Sequence, residues 1–360
     1  MASKLEAYRG CLLGMAVGDA MGMPVDDMRW EAIEENYGPR GLLGYNPGAE
    51  FAEITSYTQV CAYICNALLL SVSRGRGDKM LDFVKLGLKE WTRSQQFARD
   101  PEHSYCWVAK LPGLRRRHCR DARMLDTLRL SVMGFPEKGP NQYSAPGSLT
   151  SAIAVAMFYH PQRLTPPQIG ELATQIVRIT HGDPTAFLSA AVLAYAITGI
   201  LMEPEHPLDA QFRSAIDAVK HQFRTVYPQP ATVTETLSAA LELAATAEPM
   251  GAVMERLECY NAMKCVAGAI YASVANQEDF DTAMITAVNH SGYSSAVAGI
   301  TGAILGAKMG YAALPDFYLE SLEPVKALCT LADDMASFTP SKGLFNDDWD
   351  MKYVQGTPLV

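Results

Sequence analysis

The sequence is short of positive charge, and this shortage limits the partners that the chain can bind. Its 30 Lys and Arg residues are outnumbered by 39 Asp and Glu residues, which gives a net charge of -9. Nucleic-acid phosphates attract basic surfaces, so this balance argues against a nucleic-acid-binding protein. The only dense basic run, from Arg115 to Arg120, is interpreted as a solvated helix face, with a cradle for one phosphate group as the alternative.

The chain also lacks any Cys-x-x-Cys pair, although it contains eight cysteines. Several of them lie in apolar helical patterns, where a free thiol packs as a small hydrophobic group. The longest apolar run, from Ala296 to Ala307, is too short to cross a bilayer. Lys4, Glu6 and Arg9 interrupt the only candidate signal peptide. We therefore expect a reduced, cytoplasmic protein with no membrane partner.

No segment shows the alternating pattern of a β-strand, whereas helical periodicity runs through almost the whole chain. Apolar residues recur every three or four positions in windows at 6–22, 58–72, 79–93, 121–133, 148–159, 167–179, 185–202, 208–225, 232–246, 250–274, 278–289, 294–310 and 316–336. No long polar linker separates these windows. The sequence predicts one compact all-α domain over residues 1–340, followed by a C-terminal tail at 341–360 in which Trp349 is docked.

The segment Thr180-His181-Gly182-Asp183-Pro184 has the chemistry of a helix start. Asp183 is suited to the N-cap position, and Pro184 to the first helical position, because proline has no N–H that needs a partner there. His181 is expected to have a structural role.

Two glycine-rich segments lie near the ends of the chain, from Arg9 to Asp26 and from Ser291 to Gly306. Their glycines recur at spacings of four, which places them on one helix face and allows close packing of backbones. Both segments resemble signature helices of the ADP-ribosylglycohydrolase superfamily, and the resemblance extends over about residues 8–312. It implies the helical fold of that superfamily and an ancestral activity that cleaves ADP-ribose glycosidic bonds.

In that superfamily, the motifs Thr-Asp-Asp-Thr and Gly-Asp-x-Asp-Thr/Ser supply the carboxylates that hold two magnesium ions. The first motif falls on Thr55-Ser56-Tyr57-Thr58 here, and the two aspartates of the second motif fall on Tyr293 and Ser295. Neutral hydroxyl groups do not balance the charge of two divalent cations. The resemblance therefore predicts that the metal site is absent, that no cofactor is bound, and that the magnesium-dependent cleavage is lost or very weak.

Several polar side chains remain as candidates around the vacated metal positions. Asp26 falls where the superfamily places a glutamate, and Tyr57 and Tyr293 occupy former ligand positions; these three residues are the candidate catalytic residues. The candidate ligand-binding residues are Asp19, Thr55, Ser56 and Ser295. For Asp19, capping of a neighbouring helix is the alternative. Asp27, Glu53 and His290 are further acid or base candidates.

Two functions follow from these residues. The first is a metal-free pseudoenzyme that binds a small molecule in the former ADP-ribose cleft or acts as a regulatory protein. The second is a metal-independent enzyme that uses the phenols and carboxylates of that cleft for acid–base chemistry on a different small molecule. A residual ADP-ribosyl hydrolase is a third and weaker alternative. An enzyme or a ligand-binding protein is favoured if Tyr57, Tyr293, Ser56, Ser295 and Asp26 line an open cavity, whereas a structural role is favoured if the phenols pack the cavity shut.

Overall fold

The computed structural model describes residues 3–45, 51–96, 104–132, 142–227, 230–337 and 349–354. Within these ranges the α-helices are α1 (Lys4–Gly22), α2 (Trp30–Tyr37), α3 (Ser56–Ser73), α4 (Met80–Gln96), α5 (Pro112–Arg115), α6 (Ala122–Val132), α7 (Ser151–Phe158), α8 (Pro166–Val177), α9 (Pro184–Met202), α10 (Leu208–Phe223), α11 (Pro230–Ala244), α12 (Met250–Leu257), α13 (Ala262–Ala275), α14 (Phe280–Val288), α15 (Ser294–Met309), α16 (Asp316–Glu320) and α17 (Val325–Ser337). In this described part, strand-like pairing is limited to isolated bridges. The prediction of a single compact all-α domain is confirmed.

The helices differ from the predicted windows in two ways. Helix α2 was not predicted, because it is only eight residues long and, of its apolar residues Trp30, Ile33 and Tyr37, only Ile33 is fully buried. The window at 250–274 contains two helices, α12 and α13. The break lies at Glu258, whose backbone is left-handed with φ of 50° and therefore ends α12. The window at 316–336 is likewise divided into α16 and α17.

Helices α1 and α15 pack against each other along a line of glycines, which we call the glycine seam. A Cβ atom added to Gly14 would overlap the carbonyl group of Gly302, and one added to Gly302 would overlap that of Gly14. The seam continues to Gly22, which lies against Ser295 at the first turn of α15. The predicted packing role of these glycines is confirmed, and the seam brings the end of α1 to the start of α15.

Helix α9 is long and apolar enough to cross a membrane, and it is the only such helix in the described ranges. However, 78% of its apolar window is buried inside the protein, as expected for the central helix of a packed core. Asp183 caps α9 as predicted, since its Oδ1 accepts a hydrogen bond of 2.8 Å from the Thr185 N–H.

The described part of the tail packs against the body of the domain. Tyr353 is buried, and its phenol accepts a hydrogen bond of 3.0 Å from the Trp107 indole and donates one of 2.7 Å to Asp334. The ring of Trp349 contacts that of Tyr353, with centroids 4.7 Å apart. Residues 341–348 and 355–360 of the predicted tail lie outside the described residues.

Candidate functional site

Three helix ends converge at the candidate site. The C-terminal end of α1 continues into a short 3-10 turn at Met23–Val25 and then to Asp26. The N-terminal turns of α3 and α15 face this segment and carry Ser56, Tyr57 and Ser295, with Tyr293 at the N-cap of α15. Backbone N–H groups at a helix start have no partner within the helix, so two such ends in one place favour nearby acidic side chains.

Asp19 caps the start of α3. Its Oδ2 accepts hydrogen bonds from the N–H groups of Thr55 and Thr58 at 2.9 and 3.1 Å, and both threonine hydroxyls donate to its carboxylate at 2.6 Å. Burial raises the pKa of Asp19, and these hydrogen bonds oppose that shift. The structure therefore gives Asp19 and Thr55 the capping role that was considered for Asp19, and their role in ligand binding stays a prediction.

Asp26 holds the start of α15. Its Oδ1 accepts a 2.9 Å hydrogen bond from the Ser295 N–H, and its Oδ2 accepts one of 3.2 Å from the Nε of Arg120. The side chain is only 3% exposed, whereas that of Arg120 is 36% exposed. Burial raises the pKa of Asp26 to about 6, and the charge of Arg120 limits this rise. The structure thus brings together Asp26 and Ser295, two of the predicted site residues.

Arg120 is a site residue that the sequence reasoning missed. Its Nη2 donates a 2.9 Å hydrogen bond to the Met23 carbonyl, and its backbone N–H donates one of 3.0 Å to the Ser56 hydroxyl. The Ser56 N–H in turn donates a 3.0 Å hydrogen bond to the His118 carbonyl. Ser56 therefore anchors the chain segment that carries Arg120.

This segment, residues 116–121, is called the basic strap. The expectation of a solvated helix face is wrong here, because α5 ends at Arg115 and the strap crosses the start of α3 without helical structure. Arg116 pairs with Glu53 and Glu323. The Gln59 side-chain amide donates a 2.9 Å hydrogen bond to the Arg116 carbonyl. These contacts with α3 and with the acidic side chains fix the strap in an extended course.

The two candidate tyrosines lie in different environments. Tyr57 is 2% exposed, and burial raises the pKa of its phenol well above the usual value, with a further contribution from the charge of Asp26. Tyr293 is half-buried, and burial followed by the charge of Asp27 raises the pKa of its phenol. Tyr57 therefore fills interior volume, whereas Tyr293 reaches the surface of the site.

A second polar cluster lies beside the tyrosines and was also missed; we call it the Asp121 cluster. The Asp121 carboxylate accepts a 2.6 Å hydrogen bond from the Tyr143 phenol and lies 3.1 Å from Nε2 of His181. The Tyr143 and His181 rings are stacked with centroids 4.8 Å apart, and Nδ1 of His181 lies 2.8 Å from the Thr180 hydroxyl. Burial would raise the pKa of Asp121, but the His181 and Tyr143 contacts lower it below the usual value.

The remaining acid and base candidates have other contacts. Asp27 is exposed and has a left-handed backbone with φ of 64°. Glu53 pairs with the basic strap. His290 is fully buried, with its two ring nitrogens 3.0 Å from the Ser291 and Ala287 carbonyl oxygens, and burial lowers its pKa. Among the described residues, none of the three hydrogen-bonds to the Asp26 side chain.

The described ranges contain no group of three or more His, Cys, Asp or Glu side chains that could hold a metal ion. At the positions where the resemblance predicts lost metal ligands, the side chains are the hydroxyls of Ser56, Tyr57, Tyr293 and Ser295. The Ser56 hydroxyl accepts from Arg120, and the Ser295 hydroxyl donates a 3.2 Å hydrogen bond to the Asp19 carbonyl. These serines therefore already have protein partners.

Comparisons with known proteins agree with this architecture. The family model for ADP-ribosylglycohydrolase matches residues 1–344. An uncharacterized protein of Archaeoglobus fulgidus is 26% identical over 331 residues, which are 91% of this chain and 95% of that protein. A solved structure described as an ADP-ribosylglycohydrolase-related protein complex is similar with a TM-score of 0.59 and 21% identity, over 92% of this chain and 97% of that chain. At this identity, the structural similarity shows a shared fold.

Proposed function

This chain belongs to the ADP-ribosylglycohydrolase family, and from that membership we propose that it is a metal-free pseudoenzyme that binds a small molecule near Tyr293. The observation that carries this proposal is that the Asp26 carboxylate has its hydrogen-bond partners within the protein. Both oxygens of this buried acid already accept hydrogen bonds, one from a helix N-terminus and one from Arg120. A small-molecule partner and a reducing cytoplasmic location are parts of the same proposal, and eight free thiols support the location.

The residues present do not fit two magnesium ions. Magnesium requires near-octahedral oxygen ligation, and two adjacent ions need several convergent carboxylates to offset their mutual repulsion. Asp19 and Asp26 are the described carboxylates that hydrogen-bond at the facing helix ends, and their oxygens accept from the N–H groups of α3 and α15 and from the guanidinium of Arg120. We derive no catalytic step that uses a metal.

The burial of the other hydroxyl residues of the site leaves Tyr293 as the accessible candidate for contact with a ligand. Ser56 and Tyr57 are each 2% exposed and Ser295 is fully buried, so these groups fill the volume beneath the former metal site. Tyr293 remains half-buried at the surface. A half-buried tyrosine ring offers apolar surface to a planar or apolar ligand group, and its phenol offers a hydrogen bond.

The test is retention of a ligand by the purified protein. The protein is incubated with a metabolite mixture that includes ADP-ribose, and native mass spectrometry and metal analysis are then performed on the same sample. We expect one metabolite to be retained without metal, to be lost from Tyr293→Ala, and to persist in Tyr311→Ala, a matched change at a partly buried tyrosine elsewhere on the surface. Retention by the Tyr293→Ala variant, or cleavage of an ADP-ribosyl substrate that depends on added metal, would contradict the proposal.

A second candidate function is metal-independent acid–base catalysis. The observation in its favour is the pKa of about 6 for Asp26, since such a group exchanges protons near neutral pH. The Asp121 cluster adds a carboxylate, an imidazole and a phenol, and the charge of Asp121 acts on the Tyr57 and Tyr293 phenols. Consumption of a retained metabolite, with a rate that is lost in both Asp26→Asn and Asp121→Asn while the fold persists, would favour this candidate over the pseudoenzyme.

A further inference from the structure

We propose that Arg120 is a built-in cation that substitutes for metal at Asp26 and keeps divalent cations out of the site. This inference rests on the proposed function, because it explains how a site of this family remains intact without metal. It assigns a positioning and exclusion role to a residue outside the motifs by which the chain resembles the family.

The first step is the charge of Asp26. An ionised carboxylate that is almost completely buried is unstable unless a positive group or strong hydrogen-bond donors offset its lost hydration. The Ser295 N–H satisfies one oxygen at the positive end of α15. The other oxygen lies 3.2 Å from the Arg120 guanidinium, which is the cation that the described residues place against it.

The second step is the way in which Arg120 is held. Its guanidinium donates to the Met23 carbonyl at the end of α1, and its backbone N–H donates to the Ser56 hydroxyl at the start of α3. Ser56 occupies the position of the first aspartate of the metal-binding motif in this family. The residue that replaces a metal ligand therefore anchors the segment that carries the replacement cation.

The third step is the rigidity of the basic strap. Arg116 pairs with Glu53 and Glu323, and the Gln95 side-chain carbonyl accepts a 3.1 Å hydrogen bond from the His118 N–H. Contacts on both sides of the strap thus limit the movement of Arg120 away from Asp26. A divalent cation at Asp26 would lie close to this fixed positive charge, and like charges at such a distance repel.

The test restores the missing acids and then removes the arginine. One variant carries Ser56→Asp, Tyr57→Asp, Tyr293→Asp and Ser295→Asp, and it is compared with the same variant carrying in addition either Arg120→Ala or Arg117→Ala. Arg117 is the matched control, because it is an exposed arginine of the same strap whose guanidinium donates to the Gln96 carbonyl. The affinity for Mn2+ is measured from the paramagnetic resonance signal of the free ion.

We expect Arg120→Ala to tighten Mn2+ binding at least about tenfold relative to Arg117→Ala, since it removes a fixed positive charge beside the acids. Equal Mn2+ affinities of the variant with Arg120→Ala and the variant with Arg117→Ala would overturn the inference. Binding of Mn2+ at two sites by the unsubstituted protein would instead overturn the proposed function, so the two failures can be distinguished.

If the variant with four added aspartates does not fold, a second measurement tests the inference without it. The thermal midpoint is measured for the unsubstituted protein, Asp26→Asn, Arg120→Ala and the double variant Asp26→Asn/Arg120→Ala. We expect Arg120→Ala to lower the thermal midpoint at most half as much in the Asp26→Asn protein as in the unsubstituted protein, because the guanidinium then has no buried charge to offset. Additive decreases of the thermal midpoint in the double variant would show that Arg120 does not act through Asp26 and would overturn the inference.

Discussion

The glycine seam and the candidate site use the same two helices but differ in what holds them together. Along the seam, Gly14 and Gly302 bring backbones so close that no side chain fits between them. Beyond Gly22, polar side chains and a basic strap from another part of the chain fill the space between the helix ends. The close packing of these two helices and the polar contacts at their ends therefore depend on different residues.

The largest expected effect comes from the seam itself. We expect Gly302→Ala to lower the free energy of unfolding by about 3 kcal/mol, because its new Cβ would overlap the backbone carbonyl of Gly14 and the helices would have to move apart. Gly251→Ala in α12 is the control, since a Cβ there meets open space and alanine favours a helix by about 0.5 to 1 kcal/mol. Urea denaturation measures both variants, and equal stabilities would refute close backbone packing.

A somewhat smaller effect is expected where the seam meets the site. Asp19→Ala would leave four donors of Thr55 and Thr58 without their acceptor inside the protein, and we expect a loss of about 2 to 3 kcal/mol. Asp279→Ala is the matched change at an exposed N-cap, that of α14, and should cost about 1 kcal/mol. Chemical denaturation measures the free energy of unfolding of both variants. If Asp19→Ala lowers it no more than Asp279→Ala does, the result would argue against a buried cap.

The third effect depends on pH. Burial raises the pKa of Asp26 in the folded protein to about 6 from its usual value of 3.8, so the folded state binds more protons than the unfolded state between these values. The contribution of Asp26 to stability is therefore most favourable below pH 4 and declines as the pH rises to about 6. A shift of about 2 pKa units corresponds to about 3 kcal/mol in full, of which about 2 kcal/mol falls between pH 4 and pH 7, since one pKa unit corresponds to about 1.4 kcal/mol.

The measurement compares the unsubstituted protein with Asp26→Asn across pH 4 to 7. The difference in unfolding free energy between the two proteins should shift in favour of Asp26→Asn as the pH rises, because the amide does not ionise. A difference that is constant across this range would show that Asp26 titrates normally and is not buried in the folded protein.

The seam and the site also differ in how far the sequence predicted them. Helices α1, α3, α9 and α15 were predictable because their apolar periodicity and their caps, such as Asp183 before α9, are local features of the chain. The spacing of Gly14 and its neighbours likewise predicted close packing. By contrast, α2 is only eight residues long, so the helical spacing of Trp30, Ile33 and Tyr37 is too short a pattern to reveal a helix.

The site was predictable only where motifs mark it. The resemblance led to Asp26, Tyr57 and Ser295, which lie at the helix ends that converge. Arg120 was missed because it reaches Asp26 across 94 positions in the sequence, through a strap without regular structure. No local pattern encodes such a contact, and the dense run of basic residues was the only signal that pointed to the segment.

The central claim is that the site works without metal, and the most direct measurement is titration calorimetry of the unsubstituted protein with Mg2+ and Mn2+. We expect no saturable heat for either ion, because Asp26 already accepts hydrogen bonds from Arg120 and Ser295. In addition, no carboxylate is present at positions 56, 57, 293 and 295. Tight binding of two ions per chain would contradict it.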